Sequence, residues 1–312
     1  MHENAAPRIA IEPTSEASTA APLLALVVAN VSLAFGPWFV RLADVGPVAS
    51  GFWRISLALP VLFALCAVTG QRPHGMSPKL LWLIAIGGVA FAADLASWHI
   101  GILNTTLANA TLFGNSATLI FPIYGFLIAR AWPSRAQGLA LLLATLGGAL
   151  LLGRSYSLSS DHLLGDLLCL LAGVLYTVYF IVMARARETM SPLPALMIST
   201  LASAPPLLIF AFAMGEKILP DAWGPVVALA LCSQVLGQGL MIYAIGRLTP
   251  LVVGIGLLIQ PIVGTAIGWW AYGERLGALD LLGAALVAAA LVLVRRKPSD
   301  PVQLAPVTEK VG

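Results

Sequence analysis

Apolar runs of about 20 residues follow one another along almost the whole of this 312-residue chain, parted only by short polar turns. A hydrocarbon core about 30 Å thick takes about 20 helical residues to cross. Inside it, every backbone N–H and C=O must be satisfied within the protein, which leaves α-helices or a closed barrel. The runs lack the period-2 alternation of barrel strands, so they read as helices. Composition removes the soluble alternative: 59% of residues are hydrophobic and 10% charged, with a mean hydropathy of +0.91. An ordinary soluble domain is about one-quarter charged.

Charges, prolines and glycines bound ten expected helices, at about 22–40, 48–68, 79–100, 106–129, 136–153, 163–184, 193–214, 224–245, 250–272 and 277–294. Joined by tight turns, they must run antiparallel. The expected fold is therefore an all-α integral membrane protein with ten transmembrane helices. Residues 1–21 and 296–312, polar and without apolar periodicity, read as a disordered tail and a second tail. Ten spans put both tails on one side of the membrane.

The seventeen Lys and Arg residues then sort by side. Arg41, Arg154, Lys217 and Arg275 fall on the side away from the termini, and Arg54 falls within a span. The other twelve lie on the terminal side, so the positive-inside rule predicts cytoplasmic termini and a cytoplasmic (inner) membrane location. A net charge of +3 is too small to imply a nucleic-acid partner, and none is expected. Cys66, Cys169 and Cys232 lie in apolar runs without metal-ligand spacing and read as small buried hydrophobes. The sequence calls for no cofactor.

Sliding the chain against itself at an offset near 145 pairs Pro47 with Pro192, Pro60 with Pro205, Gly101 with Gly246, Arg130 with Arg275 and Gly138 with Gly283. The segments WHIGIL and YAIGRL align best. The chain thus divides into a five-helix repeat at 22–153 and a second at 163–295. Five being odd, the second half enters the membrane from the opposite face. Inverted repeats of this kind are built around a site near the midplane at the interface of the halves.

Polar residues inside hydrocarbon are costly and mark candidate sites. Asp94 and Arg54 lie at matching depth in the third and second spans, as either a charge pair or a site for a charged substrate or proton. Trp98 follows Asp94 on the same helix face, and His99 is expected close to the headgroups. Asn115 and its repeat mate Gln260 place amides at equivalent depths, able to donate and accept toward a cavity. Gln234 and Gln238 share a face of the eighth span, with Tyr243 beyond them, and Gly239 stands where Asp94 would repeat. Asn109 is a further cavity candidate. Asn30, Tyr124, Tyr176 and Tyr179 serve equally well as packing.

The run LANATLFGNSATLIFP in the first half and QPIVGTAIGWWAYGERLGALDLLGAAL in the second resemble the drug/metabolite transporter superfamily, and within it the EamA-type exporters, over about residues 22–295. In architecture the chain is also similar to the YddG-type amino-acid exporters. The first half departs from the repeat pattern: Ser116 stands at the Pro261 position and Ala129 at that of Glu274. The resemblance implies secondary transport of small organic solutes, often outward, with amino acids and related metabolites prominent. Drugs or nucleosides are the alternative cargo. The resulting expectation is a transporter with a small-molecule substrate and the lipid bilayer as partners. Asp94 is its candidate proton-coupling site, and monomer and homodimer are both left open. An intramembrane enzyme lacks its motifs here, since there is neither H-E-x-x-H nor a serine-nucleophile signature. A sensor or channel would need a ring of charges or an attached soluble domain.

Overall fold

The computed structural model describes residues 17–72, 77–105, 113–130, 132–153, 160–272 and 277–295. Asn109 and the greater part of both expected tails lie outside the described residues. Ten helical segments account for most of the rest. They are α1 (Ala17–Ala34, continued by Gly36–Leu42), α2 (Pro47–Val68), α3 (Pro78–Leu103), α4 (Ala117–Ala129) and α5 (Arg135–Gly153). The second half supplies α6 (Leu163–Arg187), α7 (Pro192–Ala213), α8 (Trp223–Ile245), α9 (Pro250–Leu257 and Ile259–Tyr272) and α10 (Ala278–Arg295). Six of these are long and apolar enough to cross a membrane; α4, α5, α9 and α10 contain the shorter apolar helices.

Helix starts follow local chemistry. Proline opens α2, α3, α7 and α9, where its missing N–H costs nothing because the first helical N–H groups have no intrahelical partner. Ser77 and Thr249 cap α3 and α9 by accepting from the N–H groups of Leu80 and Val252. One boundary departs clearly from expectation: helix α1 begins at Ala17 rather than 22, because the ASTAA run expected in the tail has enough alanine to extend the helix outward. The described part of the fourth segment is helical at residues 113–114, turns at 115–116 and continues as α4 from Ala117.

The packing has the symmetry of the 145-residue offset, which exchanges α1 with α6, α2 with α7 and so on. Helices α2 and α7 pack together, as do α5 with α10 and α4 with α9. The α3–α6 contact is mirrored by α8–α1, and α3–α7 by α8–α2. The two five-helix halves are inverted repeats that interlock. The surface is apolar and a set of polar side chains is held inside the apolar core: Phe63, Leu127 and Ile209 are each about two-thirds or more exposed, whereas Asn30, Arg54, Asp94, Gln234 and Gln238 are buried. Such a surface suits lipid.

Equivalent loops are tied together at both faces. At the face away from the termini, Glu216 after α7 reaches the start of α2, accepting from the N–H of Val48 (3.2 Å) and of Ala49 (2.7 Å). Gly46 lies so close to Glu216 that a Cβ there would collide with its carboxylate. Next in sequence, Lys217 Nζ donates to Asp44 and to Asp221, each at 2.8 Å. The Lys217 ammonium and the Asp221 N–H hold the Asp44 carboxyl below the usual carboxylate range, and the two carboxylates raise Lys217 in turn. At the terminal face the symmetry mates of Glu216 and Val48 meet in the same way: Gln71 accepts from the N–H of Leu193, at 3.4 Å.

Candidate functional site

Arg54 lies about two turns into α2, and its side chain is buried among helices of both halves. Its Nε donates to Gln234 Oε1 of α8 at 3.2 Å, and Gln234 Nε2 in turn donates to Thr200 Oγ1 of α7 at 3.1 Å. The guanidinium carbon lies 5.6 Å from the centre of the Phe91 ring on α3, within cation–π range. Phe91 stacks on Tyr179 of α6, their centroids 4.5 Å apart, and also faces Tyr176. Gln238, one turn below Gln234, donates from Nε2 to the Tyr176 hydroxyl at 3.2 Å. Helices α2, α3, α6, α7 and α8 therefore converge on one buried polar cluster.

Asp94 is three residues from Phe91 and so occupies the same face of α3. It lies within electrostatic range of the Arg54 guanidinium, with Tyr176 and Tyr179 close by. The direct Arg54–Asp94 ion pair that matching depths allowed is absent among the described residues, because Gln234 takes the Arg54 Nε and Phe91 takes the face of the guanidinium. The two charges are neighbours without being bonded.

The other candidates divide into groups. Gln234 and Gln238 both bond into the cluster. Trp98 lays its indole nitrogen against Gly114, just before the turn that carries Asn115. Gln260 donates to Asn30 Oδ1 of α1 at 2.9 Å, and Asn30 donates to Leu26 O. His99 is buried in the protein, and its Nδ1 lies 2.7 Å from the carbonyl oxygen of Pro47, which fixes α3 to the start of α2. Tyr243 stacks under Arg247, with the guanidinium carbon 4.1 Å from its ring centre, at the terminal end of α8.

Asn115 and Gln260 each stand at a break in a helix. The turn before α4 is closed by i to i+3 bonds from Thr118 N–H to Asn115 O and from Leu119 N–H to Ser116 O. Helix α9 breaks at Leu258, whose N–H reaches only to Ile255 O. Pro261, lacking an N–H, explains the second break. Close approach explains the first, since Phe113, Gly114 and Ser116 press on Gly173 of α6, where a Cβ would collide with Ser116 Oγ. Interrupted helices at equivalent places in two inverted repeats are a recurring substrate-site architecture.

Three features were not expected from sequence. Phe91 and Thr200 read as ordinary span residues, although Phe91 supports the cation and Thr200 orients Gln234. The central ten residues of α8, Leu229–Gln238, form a π-helix, the wide form that often marks functional sites. Among the described residues, no three His, Cys, Asp or Glu side chains come together to hold a metal.

Comparison with known proteins agrees with this geometry. The profile of the EamA-like transporter family matches residues 20–153 and again 163–296. An uncharacterized transporter of Archaeoglobus fulgidus is 22% identical over 265 residues, covering 83% of this chain and 91% of that protein. A crystal structure shares the fold with a TM-score of 0.75 at 15% identity, over 92% of this chain and 100% of the other.

Proposed function

Because the chain belongs to the EamA-like transporter family, a family of multi-pass membrane proteins, we propose that it is a secondary transporter exporting amino acids or similar small polar metabolites across the cytoplasmic membrane. Its termini are cytoplasmic on the distribution of Lys and Arg. The observation that carries the cargo class is the buried cluster of Arg54, Asp94, Gln234, Gln238 and Tyr176 between the halves. Such groups are too costly in hydrocarbon to serve packing alone, and they offer both charges and both hydrogen-bond senses to a polar solute. Asn109, Asn115, Gln260, Trp98, His99 and Tyr243 complete the candidate cavity set. Access alternates by rocking of one part of the molecule against the other. Asp94, which has no symmetry mate, is the candidate coupling site for a proton.

The test is flux. Purified protein in liposomes should show saturable counterflow of radiolabelled amino acids, accelerated by a pH gradient. Nucleoside or cationic-drug flux in the absence of amino-acid flux would replace this cargo with the alternative. Acceleration by the gradient that survives Asp94→Asn would remove the coupling role.

A further inference from the structure

We propose that Arg54 and Asp94 are a specificity dyad that reads the two ends of a zwitterion, the guanidinium taking the carboxylate and the Asp94 carboxylate taking the ammonium. This rests on the amino-acid reading above and goes beyond it by assigning each pole of the solute to one residue.

Four observations carry the inference. Both side chains are more than nine-tenths buried, Arg54 at 7% and Asp94 at 8% exposure, in facing helices of the same half. Two buried opposite charges this close would, as a structural bridge, form a direct and preferably bidentate pair, since only that geometry offsets their desolvation. They do not. Among the described residues, the Arg54 Nη groups and the Asp94 oxygens make no hydrogen bond, and no Arg54 nitrogen comes within 4.0 Å of an Asp94 oxygen.

The second observation is what keeps them apart. Thr200 fixes Gln234, and Gln234 Oε1 anchors Arg54 by its Nε alone, so the Nη edge of the fork remains for a ligand. Phe91 supports the guanidinium from the side of α3 that also carries Asp94. The third is the surroundings. The polar groups nearest the dyad are neutral: the Tyr176 and Tyr179 hydroxyls bond Gln238 and Ser199, and His99 is held by Pro47 O. No third charge from these elements compensates either member, so a ligand with a single charge leaves the other charge bare.

The fourth is symmetry. The repeat mate of Arg54 is Ser199, whose hydroxyl bonds Leu196 O, and that of Asp94 is Gly239. A Cβ at Gly239 would meet nothing closer than 3.8 Å, so the absence of a side chain there is not forced by packing. Both charges therefore belong to one half. The molecule carries one dyad, for one zwitterion.

The experiment uses full-length protein in nanodiscs, with binding read by thermal shift and calorimetry. The probes are L-leucine and L-phenylalanine, their methyl esters, which lack the anion, and their des-amino acids, which lack the cation. Wild type should bind each amino acid at least tenfold more tightly than either analogue. Arg54→Gln should abolish the preference over the ester while keeping that over the des-amino acid, and Asp94→Asn should do the converse. Arg54→Lys and Asp94→Glu keep charge and change reach. They should fold where the neutral variants do not, and should narrow the same two ratios separately. Amino-acid binding with wild-type ratios in all four variants, or equal wild-type affinity for amino acid and ester, overturns the dyad and leaves the transporter reading standing. Binding of no probe, with nucleoside or drug flux in liposomes, overturns both.

Discussion

The far-face and terminal-face clasps are one device built twice, with different chemistry. Each joins the loop after α2 or α7 to the start of the other helix, and the 145-residue offset exchanges them: Glu216 becomes Gln71, and Val48 becomes Leu193. At the far face an ionised side chain caps two N–H groups, and a Lys217–Asp44–Asp221 triad is added beside it. At the terminal face a neutral amide makes a single long bond. Hydrogen bonds to an ionised group are about twice as strong as neutral ones, and an anion also suits the positive end of a helix. In the proposed alternating-access cycle the two faces open in turn, so unequal clasps mean unequal costs of opening. The far face is the one held more firmly.

The largest effect should come from Glu216→Ala, which removes both caps from α2. Loss of a helix N-cap costs about 1 kcal/mol and up to about 2. The melting temperature of the purified protein should fall by several degrees. The far face should also become reactive: a cysteine placed at Val48, buried beneath the clasp, should in this background be alkylated by an impermeant maleimide faster than in the presence of Glu216. Unchanged melting and unchanged labelling would show that the clasp does not hold that face.

The triad should matter less, because its groups are exposed to water and salt screens them. Its pH dependence is nevertheless fixed in sign. The Asp44 carboxyl is lowered in the folded protein, so its contribution is complete above the ordinary carboxylate value, about 3.9, and is lost as pH falls through the lowered folded value. Lys217 is raised, so its contribution is complete below the ordinary lysine value, about 10.4, and is lost as pH rises through the folded value. The melting-temperature difference between wild type and Asp44→Asn should therefore be flat from about pH 5 to 9 and shrink below about pH 4. A difference that disappears near pH 6 would contradict the assignment.

Smaller again is Gln71→Ala. One neutral bond at 3.4 Å is worth at most about 0.5 kcal/mol. The expected shift in melting is within a degree or two, well below that of Glu216→Ala. Equal losses at the two positions would erase the asymmetry.

Much of this was legible in the sequence because lipid imposes a length on helices and symmetry imposes a register. The recurrence of 20-residue apolar runs marked ten segments, and the offset that aligned Pro47 with Pro192 is the one that exchanges the clasps. Glu216 and Gln71 could have been paired by that offset, but capping depends on how near the two loops approach, which no spacing encodes. Depth placed Arg54 beside Asp94. Depth alone could not show that Gln234 would take the guanidinium, because π-helical winding of Leu229–Gln238 leaves no mark on an apolar run. Pro261 announced the break in α9, whereas the turn at Asn115 has no proline and is held by contact with Gly173. His99 looked interfacial by its distance from the helix end, and that distance could not show that it is buried against a carbonyl at the start of α2.

The most exacting use of the comparison is to make the clasps alike. Gln71→Glu places at the start of α7 the group that Glu216 presents to α2. Helix α7 begins with Pro192, as α2 begins with Pro47, so the new carboxylate faces the same unpaired N–H groups and the same dipole. The gain should be about 0.3–1 kcal/mol, the worth of a charge at an exposed helix terminus, reduced further by salt. Thermal melting at low ionic strength should rise by no more than a few degrees, and the rise should fade as salt is added. In liposomes the same variant should turn over more slowly, since the terminal face now has a tighter closure to release. Combining it with Glu216→Gln exchanges the two chemistries across the membrane. If the clasps are equivalent by symmetry, the exchange should return stability toward wild type while moving the slower opening from one face to the other. A double variant as unstable as Glu216→Gln alone would show that the terminal-face loop cannot use the charge.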